Sequence, residues 1–153
     1  MKHIFLFLFV LVTLSAYSQE FKYEYSDDWV WIYPKEKLYT FEDKTQIMFN
    51  FKKDYAETIL TEFTNIFDLY LPSEVKELKN DKKIASLKIY IDNQGRVIPI
   101  NFMLLKDHLN YFTDGIIRSI YNACLKIRVD ISKNTYNVKF TSNNFAVYNV
   151  PIG

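Results

Sequence analysis

The sequence has few of the residues from which small catalytic and metal sites are usually built. Its 153 residues include one cysteine, two histidines, three glycines and four prolines. A single cysteine excludes an internal disulfide, and this scarcity of histidine and cysteine excludes most zinc sites. Three scattered glycines cannot form a glycine-rich phosphate loop. Packing must therefore stabilise the fold, and no cofactor is expected.

The sequence also lacks an excess of charge of either sign. It has 19 basic and 18 acidic residues, a formal net charge of +1. This balance does not steer the chain toward nucleic acid or anionic lipid. We therefore expect neither a nucleic-acid partner nor insertion of the mature chain into a membrane.

The first 18 residues have the pattern of a cleavable signal peptide. Lys2 precedes an almost wholly apolar run, Ile4–Leu14, and small residues follow at positions 16 and 18, which signal peptidase requires. Eleven residues extend about 16 Å as a helix, roughly half the apolar core of a bilayer. We expect cleavage near Ser18–Gln19, which leaves one domain over 19–153 in the periplasm or outside the cell.

Aromatic residues make up 18% of the whole sequence. Along the start of the mature chain they alternate with polar residues. Period-two alternation between 21 and 52 predicts several short strands, among them one at Tyr39 and Phe41. Polar breaks at 34–37 and 42–45 have turn length. Antiparallel hairpins are therefore the expected arrangement.

The segment Trp29–Tyr33 is apolar on both faces of its predicted strand. Trp29, Trp31 and Tyr33 share one face, whereas valine and isoleucine occupy the other. One interpretation buries both faces, with the following helix above them. The other exposes the aromatic face as a platform for a sugar or a partner surface, which flat amphipathic rings bind at low entropic cost.

Apolar spacings of three and four residues predict two helices. The first runs from Asp54 to Leu71 and ends at Pro72, after which Ser73 caps a short helical turn through Leu78. A solvated connection follows at 79–83. The second helix runs from Thr113 to Ile127, with Thr113 as its N-cap.

A β-hairpin lies between these helices. Alternating residues of Leu87–Ile91 and Ile98–Leu104 form its strands, and Asp92–Gly95 forms its turn, with Gly95 where a positive φ is needed. Two last strands are predicted near 135–141 and 145–150.

Connection rules predict the order of the C-terminal strands over 84–150. In an antiparallel sheet, the strand after the second helix pairs with the first hairpin strand. The second hairpin strand, Arg96–Leu104, is then left at an edge. Pro99 fits an edge because it has no N–H to donate.

Residues 84 to about 141 carry a recognisable series of features. A hydrophobic strand leads into Asp92-Asn93-Gln94-Gly95-Arg96-Val97, and the following helix leads into Leu125-Lys126-Ile127-Arg128-Val129. This series resembles the TonB C-terminal domain, the periplasmic end of the energy-transducing protein of Gram-negative envelopes. The resemblance implies the fold of this part and a habit of binding a partner's extended segment at a sheet edge. Since the signal peptide is cleavable, it implies binding without energy transduction.

Few residues offer chemistry. His108, in the connection before the second helix, is the one histidine left after cleavage, and Cys124 falls on that helix's apolar stripe, where a buried thiol is ordinary. The neighbouring carboxylates Asp27–Asp28 and Glu42–Asp43 point to opposite faces if they lie in strands. They leave a hydrolase using paired carboxylates as a third hypothesis.

The sequence thus predicts an α+β domain, an antiparallel sheet packed against two helices, that acts as an exported, non-enzymatic envelope protein. The first hypothesis is a protein or peptide partner at the open edge, through Val97, Pro99 and Met103. The alternative is a glycan or peptidoglycan ligand on Trp29, Trp31 and Tyr33.

Overall fold

Two main helices lie on one face of a six-stranded sheet in this computed structural model. The structure describes residues 20–36, 44–78, 85–136, 140–141 and 144–152. The predicted signal peptide, the strand at Tyr39 and Phe41 and the connection at 79–83 lie outside the described residues. None of the described helices is long and apolar enough to cross a membrane.

The sheet is mixed. Its strands are β1 Phe21–Tyr25, β2 Trp29–Pro34, β3 Thr45–Ile47, β4 Ala85–Ile91, β5 Val97–Leu105 and β6 Asn144–Ile152, in the spatial order β1-β2-β5-β4-β6-β3. The α+β class and the β1–β2 hairpin are confirmed. One pairing departs from the antiparallel expectation, because β3 lies parallel to β6. The predicted strand at 135–141 is absent from its described residues, 135–136 and 140–141.

The helices begin and end close to their predicted limits. They are α1 Lys53–Tyr70, α2 Ser73–Leu78 and α3 Asp114–Cys124, with 3-10 helices at Lys106–Tyr111 and Ile131–Lys133. Thr113 is the N-cap of α3, since its Oγ1 accepts a hydrogen bond from the Ile116 N–H at 3.3 Å. The α3 helix ends three residues early because the N–H of Ile127 bonds to the carbonyl of Cys124, which tightens the last turn.

The core lies between these helices and one face of the sheet. α1 contributes Ile59, Phe63 and Phe67, and α3 contributes Ile117, Ile120 and Cys124. The sheet residues that share this core alternate along their strands: Val30, Ile32, Leu87, Ile89, Ile91, Phe102, Leu104, Ala146 and Val150. The other half of each strand therefore faces away from α1 and α3.

The hairpin turn explains the acid-x-x-glycine-basic pattern of the sequence. The Asp92 carboxylate, 1% exposed, accepts hydrogen bonds from the N–H of Gln94 at 2.8 Å and from the N–H and Nε of Arg96 at 2.9 and 2.6 Å. Gly95 has a φ of 71°. The turn is therefore fixed by a carboxylate that satisfies three donors.

A β-bulge changes the alternation predicted for β5. Lys88 pairs with Asn101 but Ile89 pairs with Pro99, so Ile100 is an extra residue. Phe102 and Leu104 face the core as predicted, whereas Val97 and Pro99 take the positions expected for Ile98 and Ile100. Pro99 is tolerated here because it adjoins the bulge and because β2 pairs with β5 only from Phe102 onward.

The predicted position of β5 at an edge of the sheet is wrong, because β5 lies between β2 and β4 in the strand order. The pairing with β4 that was predicted for the strand near 135–141 is made instead by β6, the last strand of the chain. β2 pairs antiparallel with β5, from Trp29 opposite Leu105 to Ile32 opposite Phe102. The apolar β2 strand occupies the side of β5 that was predicted to be open, but only along Phe102–Leu105, and no described strand pairs with that side of Val97–Asn101. The edges of the described sheet are β1 and β3.

Candidate ligand-binding face

The sheet face that points away from α1 and α3, which we call the second face, combines aromatic, apolar and polar side chains. None of its members belongs to the core cluster. They include Trp29, Trp31 and Tyr33 of β2, Asn101, Met103 and Leu105 of β5, Ser86, Lys88 and Tyr90 of β4, and Val147 and Asn149 of β6. The core residues of α1 and α3 pack on the opposite face of the sheet.

Trp29, Trp31 and Tyr33 form an aromatic column along β2. All three are partly exposed, whereas Val30 and Ile32 between them are 0% exposed and face the core. Alternate strand residues are about 6.7 Å apart, so the three rings extend over roughly 13 Å. The buried face of this strand is thus the aliphatic one, and the aromatic face remains partly accessible.

The two flanks of the aromatic column differ in chemistry. On the β5 side, Leu105 lies opposite Trp29 and Met103 lies opposite Trp31, both partly exposed. On the β1 side, Lys22 and Glu24 lie opposite Tyr33 and Trp31. Their side chains form an ion pair at 2.7 Å, and this hydrogen bond raises the pKa of Lys22.

A polar row crosses the second face near Tyr33. Lys88 of β4 lies opposite Asn101 of β5 on one side and opposite Asn149 of β6 on the other. Lys88 and Asn101 are partly exposed and Asn149 is exposed. Among the described residues, no carboxylate forms a salt bridge with the Lys88 ammonium. The polar row therefore offers two amides and a cation that no carboxylate of the described residues pairs with.

The second face ends in a small apolar cluster beyond the polar row. The rings of Tyr90 and Phe145 meet edge to face with centroids 4.8 Å apart. Burial raises the pKa of Tyr90. Ile98 and Phe145 are each only 7% exposed, although they lie outside the core cluster.

The structure brings together only some of the predicted binding residues. Val97 is 1% exposed and Pro99 is buried, both on the core side of β5. Met103 instead lies beside Trp31 on the second face. The two hypotheses drawn from the sequence, the β5 edge and the aromatic strand, therefore share one surface through Met103.

Sequence reasoning missed the polar row. Asn101, Lys88 and Asn149 lie on three strands that are far apart in the sequence, and they become neighbours only in the sheet. One signal was available, since Lys88 alternates with Leu87 and Ile89 and must point away from their buried face.

The residues considered for chemistry in the sequence are dispersed. Cys124 is 0% exposed, and burial raises the pKa of its thiol to about 12, so the thiol stays protonated at neutral pH. His108 is partly exposed in a 3-10 helix, with its ring 6.3 Å from that of Tyr111. Asp27 and Asp28 are both exposed in the turn between β1 and β2. Glu42 and Asp43 lie outside the described residues.

No metal centre is formed by the part of the chain that the structure describes, since it contains no group of three histidine, cysteine or acidic side chains with suitable placement.

Contacts between β1 and α3 hold the edge of the sheet against the core. The Tyr23 hydroxyl donates to the Asp114 carboxylate, and Arg118 forms an ion pair with Glu20 at 2.5 Å. Burial and the bond to Asp114 raise the pKa of Tyr23. These groups fix β1, and with it the Lys22–Glu24 flank of the aromatic column.

An open groove of about 540 Å³ lies elsewhere, between α1 and the end of α3. Glu62, Asn65 and Ile66 line one side, and Ala123, Lys126, Ile127 and Arg128 line the other. The Arg128 guanidinium already donates to the carbonyls of Leu125 and Ile127, at 2.9 and 2.8 Å. The Arg128 side chain that lines this groove is therefore already engaged in capping the end of α3.

Comparison with known proteins bears on the fold. No family model and no curated protein matches the chain. Among solved structures it is similar to a DUF5043 family protein from Bacteroides uniformis ATCC 8492, with a TM-score of 0.58 and 12% identity over 86% of this chain and 83% of that chain. This likeness shows the fold alone, and it extends well beyond 84–150. The resemblance of 84–141 to the TonB C-terminal domain stays a prediction.

Proposed function

We propose that this protein is an exported, non-enzymatic binding protein of the cell envelope, and that the second face is its ligand-binding surface. The observation that carries the proposal is the aromatic column, three partly exposed rings in line on a sheet face that lies outside the core. Large apolar side chains gathered on a surface mark interaction sites. Aromatic rings also lose little conformational entropy when a ligand orders them.

The proposed export rests on the signal-peptide pattern of residues 1–18. Cleavage near Ser18–Gln19 would leave the mature chain two residues before β1. Glu20, the second residue after that point, forms the ion pair with Arg118. A mature chain that begins at Gln19 would therefore keep every described contact of β1.

The second face supports binding better than a sheet edge does. β5 has β2 beside it, so a partner strand cannot add at Phe102–Leu105. At the β1 edge, the strand has only five residues and carries the Lys22–Glu24 ion pair. Short, charged edge strands resist the addition of another strand. A ligand that lies across the side chains of the second face meets neither obstacle.

Replacing Trp31 by alanine is expected to weaken ligand binding about tenfold, because one central ring of a binding surface typically supplies more than 1 kcal/mol. The mature protein would be titrated with soluble envelope polysaccharides, peptidoglycan fragments and an envelope protein extract while its tryptophan emission is recorded. At least one of these should change the emission of the wild type.

Tyr25→Ala is the matched control. Tyr25 is an aromatic residue on the adjacent strand β1 and is 60% exposed. It lies opposite Val30 and, like Val30, on the core side of the sheet. The proposal fails if none of the three preparations changes the emission, or if W31A and Y25A bind as tightly as the wild type.

A further inference from the structure

We infer that the ligand of the second face is a linear glycan bearing carboxylate groups, lying along β2. This inference rests on the proposed function and names the ligand class of the same surface. It is carried by the juxtaposition of the aromatic column with the polar row, whose Asn101, Lys88 and Asn149 lie one, two and three strands away from β2.

The aromatic column favours an extended ligand. Sugar rings present apolar C–H faces that stack on aromatic rings, while their hydroxyls point outward from the ring edge. Three rings at steps of about 6.7 Å can contact successive units of a linear polymer. A single sugar would contact one ring and leave the others unused. The column therefore fits a chain that follows the strand direction.

The polar row supplies the groups that the ring edges of a sugar require. The side-chain amides of Asn101 and Asn149 can each donate and accept hydrogen bonds, as hydroxyl groups do. Lys88 lies between them, with neighbouring strands about 4.8 Å apart. A carboxylate on the glycan would pair with the Lys88 ammonium while the amide of Asn101, on the strand next to β2, binds an adjacent hydroxyl.

The charge of Lys88 favours such a glycan over an apolar protein surface. Lys22 is already paired with Glu24 at 2.7 Å, whereas Lys88 forms no salt bridge with a described residue. An apolar partner packed on the second face would desolvate the Lys88 ammonium without pairing it, which is costly. A uronic acid polymer covers the same rings and supplies the missing anion.

The test compares two linear polysaccharides, polygalacturonate and a soluble neutral β-glucan, by tryptophan emission of the mature protein. Polygalacturonate should bind at least tenfold more tightly at low ionic strength, and its advantage should shrink as salt screens the charge. Lys88→Gln should remove about a tenfold share of polygalacturonate affinity and thereby bring the affinities for the two polymers close to each other. Trp31→Ala should weaken the binding of both polymers.

Lys53→Gln is the control for loss of one positive charge, since the Lys53 side chain is 86% exposed on α1, away from the second face. Equal losses for K53Q and K88Q would overturn the role of Lys88, as would full polygalacturonate affinity in K88Q. If neither polysaccharide binds but an envelope protein extract still changes the emission in a Trp31-dependent manner, the glycan inference fails and the proposed function stands. If nothing changes the emission, both fail. Circular dichroism would verify that each variant is folded.

Discussion

Replacing Gly95 by alanine is expected to destabilise the mature protein by about 3 kcal/mol or more. A positive φ alone costs an alanine roughly 1–2 kcal/mol. At a φ of 71°, a Cβ on Gly95 would also lie 1.9 Å from the carbonyl oxygen of Val129. The Val129 N–H donates to the Gly95 carbonyl at 2.8 Å, so the two backbones cannot separate without losing that bond. Urea unfolding of residues 19–153, followed by tryptophan emission, would measure the loss.

Gly115→Ala is the matched control for the Gly95 substitution. Gly115 lies in the first turn of α3, where the nearest atom to a new Cβ would be the Thr113 Oγ1 at 3.8 Å. Alanine stabilises a helix by roughly 1 kcal/mol relative to glycine, so G115A should be neutral or slightly stabilising. Equal destabilisation by G95A and G115A would contradict the close contact with Val129.

Replacing Phe102 by alanine is expected to cost about 3–5 kcal/mol, the usual range for a buried phenylalanine. Phe102 is 0% exposed, and its ring lies 6.3 Å from that of Phe67 and 5.4 Å from that of Phe112. It thus connects the centre of the sheet to α1 and to the segment that leads into α3. The midpoint of urea unfolding should fall, with the slope of the transition unchanged.

Met103→Ala is the matched control for F102A, because Met103 lies on the other face of the same strand. Met103 is adjacent in sequence but partly exposed on the second face, so its truncation should cost no more than about 1 kcal/mol. A stability loss in M103A as large as that in F102A would show that the second face is as tightly packed as the core, and would count against its role in binding.

Features fixed by neighbours along the chain were predictable. The period of α1, the Thr113 cap and the turn at Asp92–Gly95 each depend on residues within a few positions of one another. These elements are confirmed within a few residues. The helix after β5 also restricts the connection, so a pairing of β4 with a later strand was predictable, although β6 makes that pairing instead of the strand predicted near 135–141.

Features that depend on distant pairings were not predictable. The strand beside β5 lies about 70 residues away in the sequence, and nothing local in Trp29–Tyr33 identifies its partner. The parallel pairing of β3 with β6 connects segments about 100 residues apart. The bulge at Ile100 also escaped prediction, because one extra residue shifts the face of every residue before it without altering composition.

The sequence by itself determined that the protein has two amphipathic helices, a hairpin with a tight glycine-containing turn and an aromatic strand with two apolar faces. Only the tertiary structure decided which face of that strand is buried, and only the sheet placed Met103 and the polar row beside the aromatic rings. The physical reason is that alternation along one strand separates its two faces without identifying what lies against either. Backbone groups can form hydrogen bonds with any neighbouring strand, so side-chain packing across the whole sheet determines the strand order.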